Sequence, residues 1–425
     1  MHDPRTLLDD EAVARLARRG HVLDVETLRG LVKRRSDLIG ERDALRTELK
    51  RAARRADPGS AVPAGDREQT RRRREHLQRV EEEHRLCERD LREVQLAIPN
   101  LPADSAPDGG PADPPVEVRR VGRLPEFGFE PRDHLDLGTT LDILDPKRAA
   151  KLSGSRFAVT KGAGVSLERA LAAFFLDLHT REHGYVEYGV PHLVNADTMT
   201  ATGQLPKFAD DLFSTRLADR ELLLIPTAEV PLVNLLRDEL LEPAALPLAL
   251  TAHTSCYRSE AGSYGRDTRG LIRLHQFEKV ELVRLCRPED AEAELHRVLG
   301  HAEECLRRLG LYYRVVELRA GDLGFSARRT YDIEVWLPGQ NSFREISSCS
   351  DCGTFQSRRA NIRTRGEGGA KLFPVTLNGS GLPIGRTLAA VLEQNQAENG
   401  SVLVPPALVP YTGFSAIGRD STVVT

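Results

Sequence analysis

The chain has 425 residues, 40% of them hydrophobic and 29% charged, with 60 Lys and Arg against 63 Asp and Glu for a net charge of −3. That length allows a large core and two domains, and the near-neutral balance excludes a polycation, so any nucleic-acid surface must be a local patch. No apolar run approaches the length of a bilayer span, and the start, MHDPRTLLDD, lacks a basic-then-apolar signal, so a cytoplasmic protein is expected. The six cysteines, Cys87, Cys256, Cys286, Cys305, Cys349 and Cys352, are few and scattered, as in a reducing compartment. Cys349 and Cys352 form a CxxC, but no second pair completes a tetrahedral site, so packing is the expected use. Only 8 of the basic residues are Lys, a bias that points to a GC-rich genome more than to function.

In chain order, residues 1–24 read as a small capping helix with Leu7, Leu8, Val13 and Leu16 on its apolar side. From about Val25 a heptad begins: Leu31, Leu38, Leu45 and Ala52 recur at seven. Leu49 and Ala56 take the companion position, where Arg35 and Arg42 also fall and weaken the seam. The stretch DPGSAVPAGD, 57–66, carries two prolines and two glycines and predicts a turn. A second run follows with Val80, His84, Cys87, Leu91, Val94 and Ile98 at alternating spacings of four and three. Pro99 ends it, and PNLPADSAPDGGPADPP reads as a linker.

Two helices joined by a short turn lie antiparallel, and some thirty residues each give a hairpin of about 45–50 Å. With one apolar seam per helix, a rod is expected instead of a buried bundle. Its tip is basic, with Lys50, Arg51, Arg54 and Arg55 on one side and Arg67, Arg71, Arg72, Arg73 and Arg74 on the other. A charge run is usually a solvated face. Here both sides of one tip share a sign with few offsetting carboxylates, so phosphate binding is the stronger expectation. No aromatics interleave, which favours backbone and shape over stacked bases. The domains expected are 1–110 and 111–425.

Within the second domain, 166–183 has Leu167, Ala170, Leu171, Phe174, Phe175 and Leu178 at helical spacing, stopped by Gly184. A strand, YVEYGV, follows and ends at Pro191. In LLLIPTAEVPLVNLL, Thr227 and Glu229 lie two apart and are expected to share a face at a strand end. The organising stretch is CYRSEAGSYGRDTRGLIRLHQFEKVELVRL, 256–285. It contains two alternating runs joined by a loop rich in Gly, Arg and Asp, and predicts a hairpin. Arg258 and Glu260 project together from the first run, and Phe277, Lys279 and Glu281 from the second, with Phe277 and Glu281 roughly 13 Å apart at strand rise. Charged residues sharing a face with an aromatic suit a cleft better than a core. After a helix over 291–310, YDIEVWLPG sets Ile333, Val335 and Leu337 against Asp332, Glu334 and Trp336 on a two-faced strand. In TLNGSGLPIGRTLAAVLEQNQ, 376–396, Gly379, Gly381 and Gly385 are expected to let the backbone approach a ligand, and Arg386 stands at a helix mouth that favours an anion.

The strings RSEAGSYGRDTRG and HQFEKVEL resemble motif 2 of the class II aminoacyl-tRNA synthetases, in the form found in the seryl-tRNA synthetase family. The resemblance extends over essentially the whole chain, with EISSCS (345–350) and TLNGS (376–380) as further specific strings. It implies an α+β fold: an antiparallel sheet flanked by helices as catalytic core, with an N-terminal two-helix coiled-coil arm. The implied activity is ATP-dependent activation of L-serine and its transfer to tRNA(Ser), and to tRNA(Sec). ATP is expected at Arg258, Ser259, Glu260, Phe277, Glu345, Ile346, Ser347, Ser348 and Arg386, with Arg258 and Arg386 catalytic. Serine is expected at Thr227, Ala228, Glu229, Glu281, Asn378 and Ser380. Mg²⁺ or Mn²⁺ falls to Glu345 and Ser348; being three apart they cannot share a face of a regular strand, so a bulge is expected there.

The arm, through Arg51, Arg54, Arg55, Arg71, Arg72, Arg73 and Arg74, is implied to grip tRNA. The helix, strand and proline at 166–191 are implied to build a homodimer interface. Pro383 and Val375 depart from the smaller residue and the histidine common in the family. Three other readings are a paralogue serving an antibiotic pathway or self-resistance, a homologue that loads amino acids onto a carrier protein, and a catalytically dead nucleic-acid-binding scaffold. The carrier-loading relatives lack the arm, and the dead scaffold predicts loss of Arg258, Glu281 or Arg386, all of which are present.

Overall fold

A computed structural model describes residues 1–55, 64–261, 270–419 and 422–424. The chain divides into two compact units, Met1–Pro99 and Asn100–Thr425.

In the first unit a short helix, α1 (Asp10–Ala17), precedes α2 (Val25–Arg55) and α3 (Ala64–Ala97). The two long helices have 31 and 34 residues, so they reach about 45–50 Å. Each buries a single stripe: Leu38, Val80 and Cys87 are enclosed between them, with Leu31 and Leu45 alongside. Arg35 does not break this seam, because its guanidinium pairs with Glu88 on the opposite helix, and Arg46 does the same with Glu81 at 2.7 Å. Of the turn expected over 57–66, residues 57–63 lie outside the described residues, and α3 already runs from Ala64.

The second unit is built on an eight-stranded sheet. Its strands are β1 (Val116–Val121), β2 (Val186–Glu187), β3 (Leu248–Tyr257), β4 (Gln276–Cys286), β5 (Tyr313–Glu317), β6 (Arg329–Leu337), β7 (Ser342–Asp351) and β8 (Val375–Pro383). They lie in the order β1-β5-β6-β7-β8-β4-β3-β2, antiparallel throughout except for the β2–β3 pair. Five helices matter for the site: α4 (Ala163–Arg181), α5 (Glu229–Asn234), α6 (Ala291–Arg308), α7 (Phe355–Arg359) and α8 (Ile384–Gln394). No described helix is long and apolar enough to cross a membrane.

Three local expectations differ from what forms. The strand expected from YVEYGV shrinks to β2, parallel to β3, while Tyr188 donates its N–H to the Thr251 carbonyl at 2.8 Å. Glu229 is not at a strand end but opens α5, its N–H directed at Thr227 Oγ1 (3.3 Å). Pro231 in that first turn removes an N–H that has no intrahelical partner there anyway. Lastly, the stretch read as a linker is tied into the second unit. The Asn100 side chain donates to the Ser326 and Cys352 carbonyls (2.8 Å each), and the Ala103 N–H to Arg328 (2.7 Å). A segment without regular structure meets its hydrogen-bonding needs this way, and so the second unit takes in residues ahead of the boundary expected at 110.

Period-two alternation sorts each central strand into two faces. Val280 and Leu382 join Leu171 and Phe175 of α4, Val298 and Leu299 of α6, and Leu388 and Val391 of α8 in one buried cluster. The glycines of β8 belong to this helical side. A Cβ on Gly379 would lie 2.5 Å from Val298 and 2.9 Å from the Cys349 sulfur, and one on Gly381 would meet the His179 ring at 2.6 Å. Both therefore admit helices, contrary to the expectation that they admit a ligand; of the three glycines only Gly385 borders the cavity described below. Gly379→Val should lower stability by about 1–3 kcal/mol, as overpacking of a close-packed interior does, measured as the urea midpoint at unchanged m-value.

Candidate active site

The opposite face of β4, β7 and β8 floors a cavity of about 230 Å³. β4 contributes Phe277, Lys279 and Glu281, β7 contributes Glu345 and Ser348, and β8 contributes Asn378 and Ser380. Arg258 and Glu260 follow β3, Thr227 precedes α5, Glu229 opens it, and Arg386 comes from the first turn of α8. These dispersed residues were all singled out from the sequence, and they share one cavity. Three others do not reach it. Ala228 is packed in an apolar cluster with Leu232 and Val233. Ser259 donates its hydroxyl to the Asp210 carbonyl (2.6 Å), and Ser347 is buried beneath, donating to the Ser380 carbonyl (2.9 Å). Part of the connecting loop, 262–269, lies outside the described residues.

The bulge expected between Glu345 and Ser348 is present. Against β6, Ser347 pairs with Ile333 and Glu345 with Glu334, leaving Ile346 as the extra residue. One inserted residue restores Glu345 and Ser348 to a common side.

One end of the cavity is a buried polar cluster. Lys279 and Glu281, only 6% and 2% exposed, form an ion pair, and Thr227 Oγ1 bridges them by donating to Glu281 (2.6 Å) and accepting from Lys279 (3.1 Å). Beside them Glu229 accepts from the side-chain amides of Gln356 (2.5 Å) and Asn378 (2.8 Å). Burial, with the charge of Glu281 adding to it, pushes the Glu229 carboxyl up to about 7 against the opposing pull of the Gln356 hydrogen bond, Lys279 and Arg258.

Toward the other end the Arg258 guanidinium lies over the Phe277 ring, 5.2 Å from its centre, and donates through Nε to the Pro226 carbonyl (3.2 Å). Arg386 donates to the Ile272 carbonyl (2.9 Å) and the Glu345 carbonyl (2.7 Å), with the Glu345 carboxylate 3.5 Å away. Glu260 is ion-paired with Arg273. Sequence reasoning assigned no site role to Arg273, Gln204, Leu271, Ile272 or Lys279, though all line the cavity. Lys279 carried a signal, since it alternates in phase with Phe277 and Glu281. Leu271 did not: its N–H is held by His134 Nε2 (2.9 Å), whose other nitrogen meets Glu393 at 2.7 Å, partners distant in sequence.

Fit to a hard divalent cation can be judged from Asp332, which faces Ser348 across the strand pair. It is 8% exposed, its Oδ1 has no partner among the described residues, and burial followed by the charge of Glu345 pushes its carboxyl well up. A pocket of carboxylate and hydroxyl oxygens in which two carboxylates, Asp332 and Glu345, face the single guanidinium of Arg386 suits such an ion. Cys349 and Cys352 are buried, and burial pushes both thiols up, Cys349 to about 12. Among the described residues no cluster of three His, Cys, Asp or Glu side chains is arranged to hold a metal by itself.

In the other unit, Arg51 and Arg54 are exposed near the end of α2, while the side chain of Arg55 lies outside the described residues. Carboxylates offset this tip more than the sequence suggested. Arg71 pairs with Glu68 (2.8 Å) and Glu75 (3.0 Å), Arg72 with Glu68 (2.9 Å), and Arg73 with Glu48 (3.0 Å); Arg74 is exposed.

Residues 212–395 match the tRNA synthetase class II core domain (G, H, P, S and T). Serine--tRNA ligase 2 of Streptomyces avermitilis is 61% identical over 420 residues, covering 98% of both chains. The serine--tRNA ligase of Syntrophotalea carbinolica is 53% identical over 95% of this chain and 96% of its own. Among solved structures, the seryl-tRNA synthetase of Pyrococcus horikoshii complexed with ATP superposes with a TM-score of 0.89 at 32% identity, over 99% of this chain and 100% of that one. With that identity sustained along nearly its whole length, the chain belongs to the serine–tRNA ligase family of class II aminoacyl-tRNA synthetases.

Proposed function

We propose that this protein activates L-serine with ATP to give seryl-adenylate and transfers the seryl group to the 3′ end of tRNA(Ser), and of tRNA(Sec), in the cytoplasm. The observation that carries this reading is one cavity with the guanidinium groups of Arg258, Arg273 and Arg386 and an aromatic ring toward one end and buried carboxylates with small polar groups at the other. In the first step a serine carboxylate oxygen attacks the α-phosphorus, and the bond to the leaving pyrophosphate breaks. Arg258 neutralises charge on the α-phosphate and the attacking carboxylate, and Arg386 holds the γ-phosphate of a bent ATP. Phe277 gives the adenine a stacking surface and Glu260 meets its edge. No side chain needs to exchange a proton, so positioning and charge neutralisation carry the step. Glu345 and Ser348 would hold Mg²⁺ or Mn²⁺, which when bound supplies positive charge to the phosphates. In the second step the terminal ribose hydroxyl attacks the seryl carbonyl carbon, AMP leaves with the electron pair, and the hydroxyl proton passes to solvent.

Glu281, Glu229, Thr227, Asn378 and Ser380 form the amino-acid end, where acceptors meet the serine ammonium and hydroxyl. A site built around a hydroxyl rejects alanine because the smaller analogue leaves buried polar groups unpaired. The basic tip formed by Arg51, Arg54, Arg55 and Arg71 to Arg74 contacts tRNA phosphates. Its ion pairs are exposed and salt-screened, so they yield readily to a polyanion. Val186 and Leu193, 57% and 43% exposed just after α4, support a second copy of the chain closing over this side as a homodimer. A second reading is a paralogue dedicated to an antibiotic pathway or to self-resistance; the Streptomyces relative carries the name of a numbered copy, serine--tRNA ligase 2. It predicts that the same genome encodes another seryl-tRNA synthetase.

Deleting residues 33–94 should leave serine-dependent ATP–pyrophosphate exchange near the wild-type rate and abolish tRNA charging; loss of exchange in a folded truncation contradicts the division of labour. Glu281→Ala should lower kcat/KM for serine by roughly 10–100-fold, the worth of a hydrogen bond to a charged group. It should also cost about 3–5 kcal/mol in denaturant unfolding, because Lys279 is left buried and unpaired.

A further inference from the structure

Behind the amino-acid end of the cavity lies a polar residue that touches no ligand space. Gln356 sits on the one-and-a-half-turn helix α7, is 1% exposed, and is not among the cavity-lining residues. Its side-chain NH₂ donates to Glu229 Oε1 (2.5 Å) and to the Thr202 carbonyl (3.2 Å), while its oxygen accepts from the Thr376 hydroxyl (2.7 Å). This arrangement defines the amide orientation. A flipped amide would set its oxygen against a carboxylate and a carbonyl, two acceptors facing a third. Thr376, wholly buried on β8, thus fixes Gln356, and Gln356 fixes Glu229.

The consequence reaches the cavity through Asn378. Its NH₂ is committed to the same Glu229 Oε1 (2.8 Å) and to the Cys352 sulfur (3.5 Å). Its carbonyl oxygen is therefore the part left for a ligand. Glu229 Oε1 is occupied by two amides, and Oε2 has no partner among the described residues. We infer that Gln356 is a positioning residue for amino-acid binding, which through Glu229 and Asn378 presents two oxygen acceptors to a ligand carrying an ammonium and a hydroxyl group. The inference rests on the serine-activating reading above. It gives the pocket an electrostatic as well as a geometric dependence on Gln356. The groups facing Glu229 are Glu281 and Lys279 from β4, Arg258 after β3, and the Cys352 thiol, which burial keeps protonated. The Gln356 hydrogen bond opposes the upward push of burial on the Glu229 carboxyl. Without it that carboxyl protonates at higher pH, and a protonated Glu229 no longer attracts an ammonium.

The test is serine-dependent ATP–pyrophosphate exchange by the full chain, with KM for serine and for ATP measured from pH 6 to 9 in wild type, Gln356→Met and Thr376→Val. Gln356→Met should raise KM for serine roughly tenfold or more while KM for ATP stays within about twofold. The defect should be largest at low pH and shrink as pH rises. Thr376→Val should do the same to a smaller degree, and it decides the matter if Gln356→Met fails to fold. In a Glu229→Gln background, Gln356→Met should add nothing further to KM for serine. An unchanged KM for serine, or a pH-independent rise shared equally by serine and ATP, overturns the inference while leaving the assigned activity intact. Absence of serine-dependent exchange in the wild-type protein overturns the assigned activity itself.

Discussion

Strand β4 is buried on both faces, and the two faces are chemically opposite. Val280 and Leu282 lie fully buried on one side, and Lys279 with Glu281 is almost as deeply enclosed on the other. Taking two ions out of water costs several kcal/mol each, and their attraction offsets that only when the geometry is good and the remaining donors and acceptors are met. Thr227 meets them, reaching both partners of the pair. A well-packed apolar pair of similar volume would typically serve stability as well or better. Conformational stability is therefore a poor reason for this pair, and a ligand that needs fixed charge inside a partly dry cavity is a good one.

Everything around the pair serves to aim side chains into that cavity. The glycines of β8 do so indirectly, by letting α4 and α6 settle against the sheet so that Asn378 and Ser380 are held on the other side. The register breaks do so directly: Ile346 is the extra residue in β7, and β8 slips against β4 between Ser380 and Leu382. Each break turns a residue that strict alternation would misdirect. Two buried polar networks then clamp the cavity from behind. His134 and Glu393 hold the backbone at Leu271, and Thr376 with Gln356 holds Glu229. Such networks rigidify when every member is satisfied and are costly when one is not.

Much of this was readable along the chain. The heptads foretold α2 and α3, and alternation in HQFEKVEL foretold which side chains of β4 share a face; the bulge followed from the resemblance, which assigned one ion to Glu345 and Ser348 at a spacing of three. The heptads and the alternation are local properties, in which periods of 3.5 or 2 residues determine the side to which a residue turns. Local reading also went astray in identifiable ways. It set Glu229 on a strand because Thr-x-Glu has the right spacing, whereas Glu229 opens a helix. It treated Gly379 and Gly381 as ligand-facing because glycine-rich loops often are, and it undercounted the carboxylates near Arg71 to Arg73, passing over Glu68 and Glu75 one turn away on the same helix and Glu48 on the neighbouring one.

The sequence by itself determined the periodicities, the two-domain character, the chemistry of each strand face and, through its specific strings, the family. Only the tertiary structure decided that β7, β8 and β4 are neighbours in that order, and hence that Glu345, Asn378 and Glu281 border one space. It alone placed Asp332 opposite Ser348, Gln356 behind Glu229, and His134 behind Leu271. The reason is physical. Which way a side chain points follows from the backbone repeat of its own segment, but what it meets depends on strand pairing and helix docking between segments far apart in sequence, and those are fixed by the packing of the whole core.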